Sequence, residues 1–220
     1  MGIRIIITGT TGMVGEGVLL ECLQSPQVAA VLSVSRRPAG KTHPKLKEYL
    51  VPDFRELQMD DEMLKGYDAC FFCAGISSIG IKEDQYRTIT YDTTMHFARV
   101  MLRQNPQITF IYVSGRGTDS SEKGRSMWAR VKGKTENGLL AAGFSNAFMF
   151  RPAFMKAVPG QQFTLRAYRY LSWLYPVLKA IAPDSVSTLQ QVGRAMINAV
   201  TKGSLQQVLE VKDINALSER

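Results

Sequence analysis

The sequence has few of the residues on which disulfide-bonded and metal-binding proteins depend. It contains three cysteines and two histidines in 220 residues, and a small, odd cysteine count argues against a disulfide framework. Cys70 and Cys73 have the spacing of a metal or redox pair. They lie in an apolar run that predicts a strand, however, where residues three apart point to opposite faces. We therefore expect no metal site.

Long apolar runs are also missing. No run approaches the roughly 20 residues that a membrane-spanning helix needs, and the first residues, MGIRIIITGT, lead into glycines without a signal-peptide cleavage pattern. We expect a cytoplasmic protein without a transmembrane segment. Lys and Arg outnumber Asp and Glu by 27 to 19, but no basic run exceeds two residues. This favours a basic surface with a few phosphate contacts and no nucleic-acid partner.

Strand and helix patterns alternate along the chain. Short apolar, β-branched runs predict seven strands, at 3–9, 28–37, 49–51, 67–75, 108–115, 146–152 and 207–211. Apolar residues at helical spacing predict helices at 12–24, 84–104, 126–143 and 188–200. This alternation predicts an α/β fold, a doubly wound Rossmann-type parallel sheet with helices on both faces and a small C-terminal helical cap. We expect a single domain over residues 1–220, with 153–190 as a small substrate or cap lobe.

The stretch TGTTGMVG, residues 8–15, places three glycines between the first strand and the first helix. In that setting glycines allow a tight turn, the approach of a pyrophosphate to the backbone, and close packing of the helix. The helix N-terminus adds free N–H groups and a partial positive charge. We expect a dinucleotide to bind here, on Gly9, Thr11, Gly12, Met13, Val14 and Gly15.

The end of the second strand indicates which dinucleotide binds. An NAD site usually carries a carboxylate there, on the ribose diol, but no acidic residue occurs from Gln24 to Lys47. Arg36 and Arg37 stand at this position, and a guanidinium suits a 2′-phosphate. A solvated charge pair is the simpler alternative. We favour NADP(H) over NAD(H).

Three further residues complete the predicted cofactor site. Asp53, just after the third strand, is placed to meet the adenine edge. Ala74 and Gly75 follow the fourth strand and offer a small surface for the adenine ribose and pyrophosphate.

Six segments together resemble an atypical, extended-type short-chain dehydrogenase/reductase of the NAD(P)-binding, epimerase/dehydratase-like kind, close to the Tat-interacting-protein-like oxidoreductases. They are TGTTGMVG, SRRP, CFFCAG, YVSGRGTDSSEKG, WARVKGKTE and RPAF, and they span about the first 155 residues. The resemblance implies that Arg151 and Pro152, in RPAF, lie beside the nicotinamide.

The resemblance also implies three catalytic positions. In the superfamily a Tyr moves the proton, a Lys four residues later binds the nicotinamide ribose, and a Ser after the fifth strand orients the substrate carbonyl. Lys132 matches the Lys and Ser114 the Ser, although Gly115 follows where relatives carry a second Ser. Trp128 stands in place of the Tyr. An indole N–H only donates, so Trp128 is either a wall beside the nicotinamide or a packing residue.

No residue stands out as a replacement for the missing acid. Tyr86, Tyr91, Tyr112 and Arg116 are candidates of similar weight. The aromatic-rich segment at 163–183 predicts one or two helices, broken at Pro176. Three roles are open for this segment. It could cap the cleft over a hydrophobic substrate, form an oligomer surface such as a homodimer contact, or lie on a membrane surface.

These observations predict an NADP(H)-binding oxidoreductase, or a nucleotide-dependent epimerase or dehydratase, with an atypical active site and a small-molecule substrate. The alternative is a non-catalytic NADPH-binding sensor or scaffold. General acid–base catalysis contributes roughly 10²–10⁴-fold to a rate. The absence of the Tyr is therefore compatible both with a slow enzyme and with a sensor.

Overall fold

A computed structural model describes residues 2–164 and 175–220. Within them the chain forms nine strands: β1 (Ile3–Thr8), β2 (Val28–Ser35), β3 (Leu46–Leu50), β4 (Ala69–Phe72), β5 (Thr109–Val113), β6 (Asn146–Arg151), β7 (Phe154–Lys156), β8 (Val186–Thr188) and β9 (Val208–Glu210). Seven of these build one sheet in the order β3-β2-β1-β4-β5-β6-β9. Every neighbouring pair in it is parallel. The predicted doubly wound α/β fold is confirmed.

Helices connect the strands and cover both faces of the sheet. They are α1 (Met13–Gln24), α2 (Glu83–Arg87), α3 (Thr93–Gln104), α4 (Met127–Leu140), α5 (Tyr175–Ile181), α6 (Leu189–Thr201) and α7 (Val211–Ser218). A π-helical turn, Thr88–Asp92, joins α2 to α3, so the helix predicted at 84–104 contains a widened turn. Such turns occur often at functional sites.

The apolar core lies on both sides of the sheet because successive strand residues point to opposite faces. Ile5 and Ile7 of β1 pack with residues of α1 and α6 on one side. Ile6 packs with residues of α3 on the other. Cys70 belongs to the second cluster, whereas Cys73 packs against the first, which confirms that the two sulfurs face apart.

The strand order indicates where on the sheet a ligand would bind. The chain leaves β1 toward β2 and β3 on one side and later returns to β4 and β5 on the other side. In open α/β sheets ligands bind at the carboxyl ends of the strands where the order reverses in this way. The glycine loop between β1 and α1 lies at this point.

The cap lobe predicted at 153–190 contains more than helices. β7 and β8 pair in parallel as a separate two-stranded sheet. Pro176, the predicted break, lies in α5, and whether a helix is broken there stays a prediction. The rest of the aromatic-rich segment, 165–174, lies outside the described residues. That the lobe binds substrate stays a prediction. In the described parts of the chain, no helix has the length and apolarity to cross a membrane.

Close packing of α1 on the glycine loop constrains Gly15 more than Gly12. A Cβ at Gly15 would lie 2.1 Å from the Gly9 carbonyl oxygen, whereas a Cβ at Gly12 would lie at an ordinary 3.4 Å from the same atom. We expect Gly15→Ala to lower the free energy of unfolding by about 1–3 kcal/mol or more, as overpacking does. Gly12→Ala is expected to cost about 1 kcal/mol or less. Urea unfolding followed by circular dichroism compares the two, and equal losses would contradict this packing argument.

Candidate functional site

A cleft of about 360 Å³ opens at the carboxyl ends of the central strands. Its walls come from the glycine loop, the end of β2, the turn after β3, the end of β4 and the helical segment that follows. The lining residues are Gly9, Thr11, Gly12, Ser35, Arg36, Arg37, Pro52, Asp53, Phe54, Arg55, Phe72, Cys73, Ala74, Gly75, Ile76, Ile89 and Thr93. The cleft thus brings together Gly9, Thr11 and Gly12 of the predicted loop with the two arginines, Asp53, Ala74 and Gly75, whereas Met13, Val14 and Gly15 do not line it.

Hydrogen bonds hold the glycine loop in place. The Gly12 amide donates to the Gly9 carbonyl over 2.9 Å, and the buried Thr10 hydroxyl lies 2.7 Å from that of Ser33 on β2. Gly12 is the N-cap of α1 and supplies no side-chain cap. Met13, Val14 and Gly15 form the first turn, whose N–H groups the helix itself leaves free. The loop therefore presents backbone donors at the base of the cleft.

Arg36 and Arg37 stand at the mouth of this cleft. The Ser35 hydroxyl donates to the Arg37 carbonyl over 2.6 Å and fixes the bend after β2. Both side chains are exposed. No described residue forms a hydrogen bond or an ion pair with either guanidinium. Their role in cofactor binding stays a prediction.

Sequence reasoning missed Arg55. Its guanidinium holds the Asp53 carboxylate, with Nη2 to Oδ2 at 2.5 Å and Nε to Oδ1 at 3.0 Å. This hydrogen-bonded pair lowers the pKa of Asp53 to about 2. The Asp-Phe-Arg spacing directly after β3 was the available signal. Asp53 thus lines the cleft as expected, but as one member of an ion pair.

The catalytic residues that the resemblance implies lie outside this cleft. The Lys132 ammonium donates to the Ser114 carbonyl. The buried Ser114 hydroxyl donates to Glu136 over 2.5 Å and lies 3.2 Å from the Phe150 carbonyl. Lys132 and Ser114 are therefore adjacent, and the serine hydroxyl is bonded within the protein.

Glu136 is the centre of this cluster and was not predicted. Its side chain is 1% exposed and pairs with Arg151, with Nη2 to Oε2 at 2.5 Å and Nε to Oε1 at 3.0 Å. Arg151 also reaches Glu210 at 3.2 Å and the Ser120 hydroxyl at 2.6 Å. The expected contact of Arg151 with a cofactor stays a prediction, and the protein already occupies most of its donors. The Pro152 carbonyl accepts from the Arg116 amide.

Trp128 lies in the first turn of α4, one turn before Lys132, and is half-buried. A Cβ built on Gly117 would lie 3.7 Å from its ring. The indole therefore packs against the loop that follows β5. Whether it also forms a wall beside a nicotinamide stays a prediction.

The candidate replacement acids are engaged elsewhere. Tyr86 and Tyr112 are buried, and burial raises the pKa of both phenols. The Lys134 ammonium lies 5.1 Å from the centre of the Tyr91 ring. The Arg116 guanidinium donates to the Ser185 hydroxyl over 2.6 Å. None of these four residues lines the cleft.

Burial also acts on Lys132. It lowers the pKa of the ammonium to about 8, against an opposing, raising effect of the nearby Glu136 carboxylate. Between about pH 8 and the ordinary lysine value near 10.4, the unfolded chain binds a proton that the folded protein does not. Stability from this group therefore increases as the pH rises through that window.

This sign gives a measurable pH dependence. From pH 8 to pH 10, the free energy of unfolding of the wild type should rise relative to that of Lys132→Met by about 1 kcal/mol per pH unit. Urea unfolding at a series of pH values measures the difference in the free energy of unfolding between the two proteins. The contributions of the other titrating groups, which both proteins share, cancel in this difference. Lys134→Met, two residues along the same helix, is the control and should follow the wild type. A wild-type-to-Lys132→Met difference that does not change with pH would contradict the burial of this ammonium.

Curated relatives of similar length occur in fungi. "Protein fmp52-1, mitochondrial" of Aspergillus terreus is 25% identical over 206 residues, which cover 90% of this chain and 87% of the relative. "Protein fmp52, mitochondrial" of Emericella nidulans is 24% identical over 90% of this chain and 88% of its own length. These names contradict the expected cytoplasmic location and point to mitochondria. No protein-family model matches the chain.

Solved structures share the fold of this chain. A UDP-glucuronic acid 4-epimerase from Bacillus cereus in complex with NAD is 14% identical, with a TM-score of 0.67 over 94% of this chain and 77% of the enzyme. The PhqB reductase domain from Penicillium fellutanum is 17% identical, with a TM-score of 0.67 over 96% of this chain and 67% of its own. The chain therefore has the fold of the short-chain dehydrogenase/reductase and epimerase enzymes, as the resemblance of its motifs predicted.

Proposed function

We propose that the protein binds NADP(H) and acts on a small molecule as an oxidoreductase, or as a nucleotide-dependent epimerase or dehydratase. One observation carries the proposal. A single cleft at the switch point of the sheet is lined both by the glycine loop and by Arg36 and Arg37, whose guanidinium groups have no partner among the described residues. Unpaired cations beside free backbone donors are what a phosphorylated dinucleotide requires.

The lining residues suggest how a dinucleotide would lie. The pyrophosphate fits the backbone of Gly12 and the first turn of α1, where the helix dipole favours an anion. The 2′-phosphate fits Arg36 and Arg37, while the adenosine fits between Asp53 and the side-chain-poor surface of Ala74 and Gly75. The absence of an acidic side chain from 24 to 47 favours NADP(H) over NAD(H).

Lys132 is the residue of the catalytic half that we assign to the nicotinamide ribose. One of its three N–H donors is used by the Ser114 carbonyl, which leaves two for ribose hydroxyls. A bound NADPH would supply the hydride. Trp128 stands where the superfamily has its phenol, and an indole accepts no proton. Turnover should therefore be slower, by up to roughly 10²–10⁴-fold, than in an enzyme with a Tyr at this position.

A non-catalytic NADPH sensor or scaffold is the second candidate. It is favoured by the internal bonds of the groups that would meet a substrate, since the Ser114 hydroxyl is bonded to Glu136 and the Arg151 guanidinium to Glu136 and Glu210. In this reading the cofactor half is retained and the catalytic half is structural.

The lobe at 153–190 is proposed to cap the cleft. Val177 and Ile181 lie one turn apart on α5 and are 52% and 74% exposed, which supports a hydrophobic substrate or a contact with a second copy. The names of the fungal relatives support a mitochondrial setting.

Removal of both arginines should change cofactor preference. In Arg36→Ala/Arg37→Ala, the Kd for NADPH is expected to rise by about 10–100-fold, because the lost charge-assisted contacts to the phosphate are worth roughly 1.5–3 kcal/mol together at this exposed site. The Kd for NADH should change by less than about threefold. Isothermal titration calorimetry measures both. Arg99→Ala/Arg103→Ala, on the exposed side of α3, is the charge-matched control; an equal loss for the two cofactors would contradict the 2′-phosphate contact.

Turnover separates enzyme from sensor. We expect the wild type to oxidise NADPH slowly with members of a panel of aliphatic and aromatic aldehydes and ketones, and Lys132→Ala to reduce that rate at least tenfold. Absorbance at the nicotinamide band follows the reaction, with Lys134→Ala as the control. Tight NADPH binding without turnover across the panel would favour the sensor, and full activity of Lys132→Ala would remove Lys132 from the site.

A further inference from the structure

Arg55 lies at the adenosine end of the cleft, and the proposed function gives it no role. It lines the cleft together with Arg36, Arg37 and Asp53. Its side chain is 51% exposed and that of Asp53 is 31% exposed. The pair is therefore open to a ligand.

The turn that carries this pair is firmly anchored. Phe54, between the two residues, is buried, and its ring centre lies 5.2 Å from that of Phe97. The Asp53 carboxylate also accepts from the Arg55 amide over 2.9 Å, which caps the short helical turn Phe54–Glu56. Asp53 and Arg55 thus flank an apolar anchor and are held at the cleft without any ligand.

Asp53 leaves the sheet beside the two arginines. Ser35 of β2 pairs with Leu50 of β3 in parallel register, so Arg36 and Arg37 follow one strand while Pro52 and Asp53 follow its neighbour at the same edge. An uncovered carboxylate at this edge would accept ribose hydroxyls, as the acidic residue of an NAD site does. It would also repel a 2′-phosphate, since like charges a few ångströms apart disfavour each other.

Arg55 removes that conflict. Its Nε and Nη2 cover both oxygens of Asp53, which cancels the charge and occupies the acceptors. A guanidinium carries five N–H donors, and Asp53 uses two of those on Arg55. Within residues 2–164 and 175–220, no other group accepts from the Arg55 side chain. Three donors are left for an anion.

We propose that Arg55 is a specificity-determining residue for the phosphorylated dinucleotide: it covers the Asp53 carboxylate and adds a third cation to Arg36 and Arg37. The inference rests on the proposed function. The NADP(H) preference then comes from the Asp53–Arg55 ion pair in the turn after β3 as well as from Arg36 and Arg37 at the end of β2. The same ion pair explains how a cleft that contains a carboxylate can still select the more anionic cofactor.

Calorimetric titration of NADPH and NADH into the intact protein tests this. Arg55→Ala is expected to raise the Kd for NADPH at least about tenfold, while the Kd for NADH changes by less than about threefold. Asp53→Asn added to Arg55→Ala should recover at least about threefold of the NADPH affinity, because the uncovered carboxylate is gone. Arg103→Ala, an exposed arginine of α3, is the control for loss of one positive charge.

Arg55→Lys is a milder variant that keeps the positive charge but lacks the planar guanidinium, which can bind two oxygens at once. It should lie between the wild type and Arg55→Ala, and a melting curve by circular dichroism confirms that each variant is folded. An unchanged ratio of NADPH to NADH affinity in Arg55→Ala overturns the inference. A double variant no better than Arg55→Ala overturns the covering of Asp53. A wild type that binds neither dinucleotide overturns the proposed function itself, and Arg55 with it.

Discussion

The ion pair of the buried Glu136 carboxylate with Arg151 is the interaction on which the cluster around Ser114 and Lys132 depends. An ion removed from water is costly unless it is paired and hydrogen-bonded, and Glu136 has Arg151 on both oxygens and the Ser114 hydroxyl on one of them. These contacts join α4 to β5 and β6, and Arg151 extends the link to Glu210 at the end of β9. The position of Lys132, one helical turn before Glu136, follows from this arrangement.

A second buried carboxylate does similar work in the cofactor half. Glu16 of α1 is fully buried, pairs with Lys41 at 3.0 Å, and accepts from the Gln162 and Phe163 amides. It ties the chain that enters the cap lobe to the helix that would face the pyrophosphate. The two halves differ in what remains unpaired. At the cleft, backbone donors and the guanidinium groups of Arg36 and Arg37 have no partner among the described residues, whereas the Ser114 hydroxyl and the Arg151 guanidinium are bonded to Glu136. Groups able to bind a dinucleotide are therefore available at the cleft, whereas the Ser114 hydroxyl would have to leave Glu136 to meet a substrate.

The fold could be predicted from the sequence because the patterns that indicate its strands, helices and glycine loop are local. The β-branched run of β1, the glycines after it and the helical spacing of α1 each lie within a few residues, and together they predicted both the sheet and its ligand crevice. Pairings between distant residues were not predictable in this way. β7 and β8 pair although they are 30 residues apart, and the ion pair of Glu136 with Arg151 joins residues 15 positions apart on α4 and β6. The cytoplasmic expectation was wrong because it rested on the absence of a recognisable leader pattern, which is weak evidence about location.

The two departures from the superfamily pattern, Trp128 and Gly115, belong to one local structure. Gly115 has φ +146° and Gly117 has φ +87°, conformations that side-chain-bearing residues rarely adopt. A second serine at position 115 would therefore be strained in this loop. A Cβ built on Gly117 would lie 3.7 Å from the Trp128 ring, so the large indole lies beside this bare glycine. A change from Trp128 to a tyrosine alone would restore the phenol but leave the loop shaped for an indole. Backbone conformation thus disfavours the serine that the superfamily pattern has at position 115, whereas Trp128 is accommodated beside the bare Gly117, and both features separate this chain from the pattern that its motifs resemble.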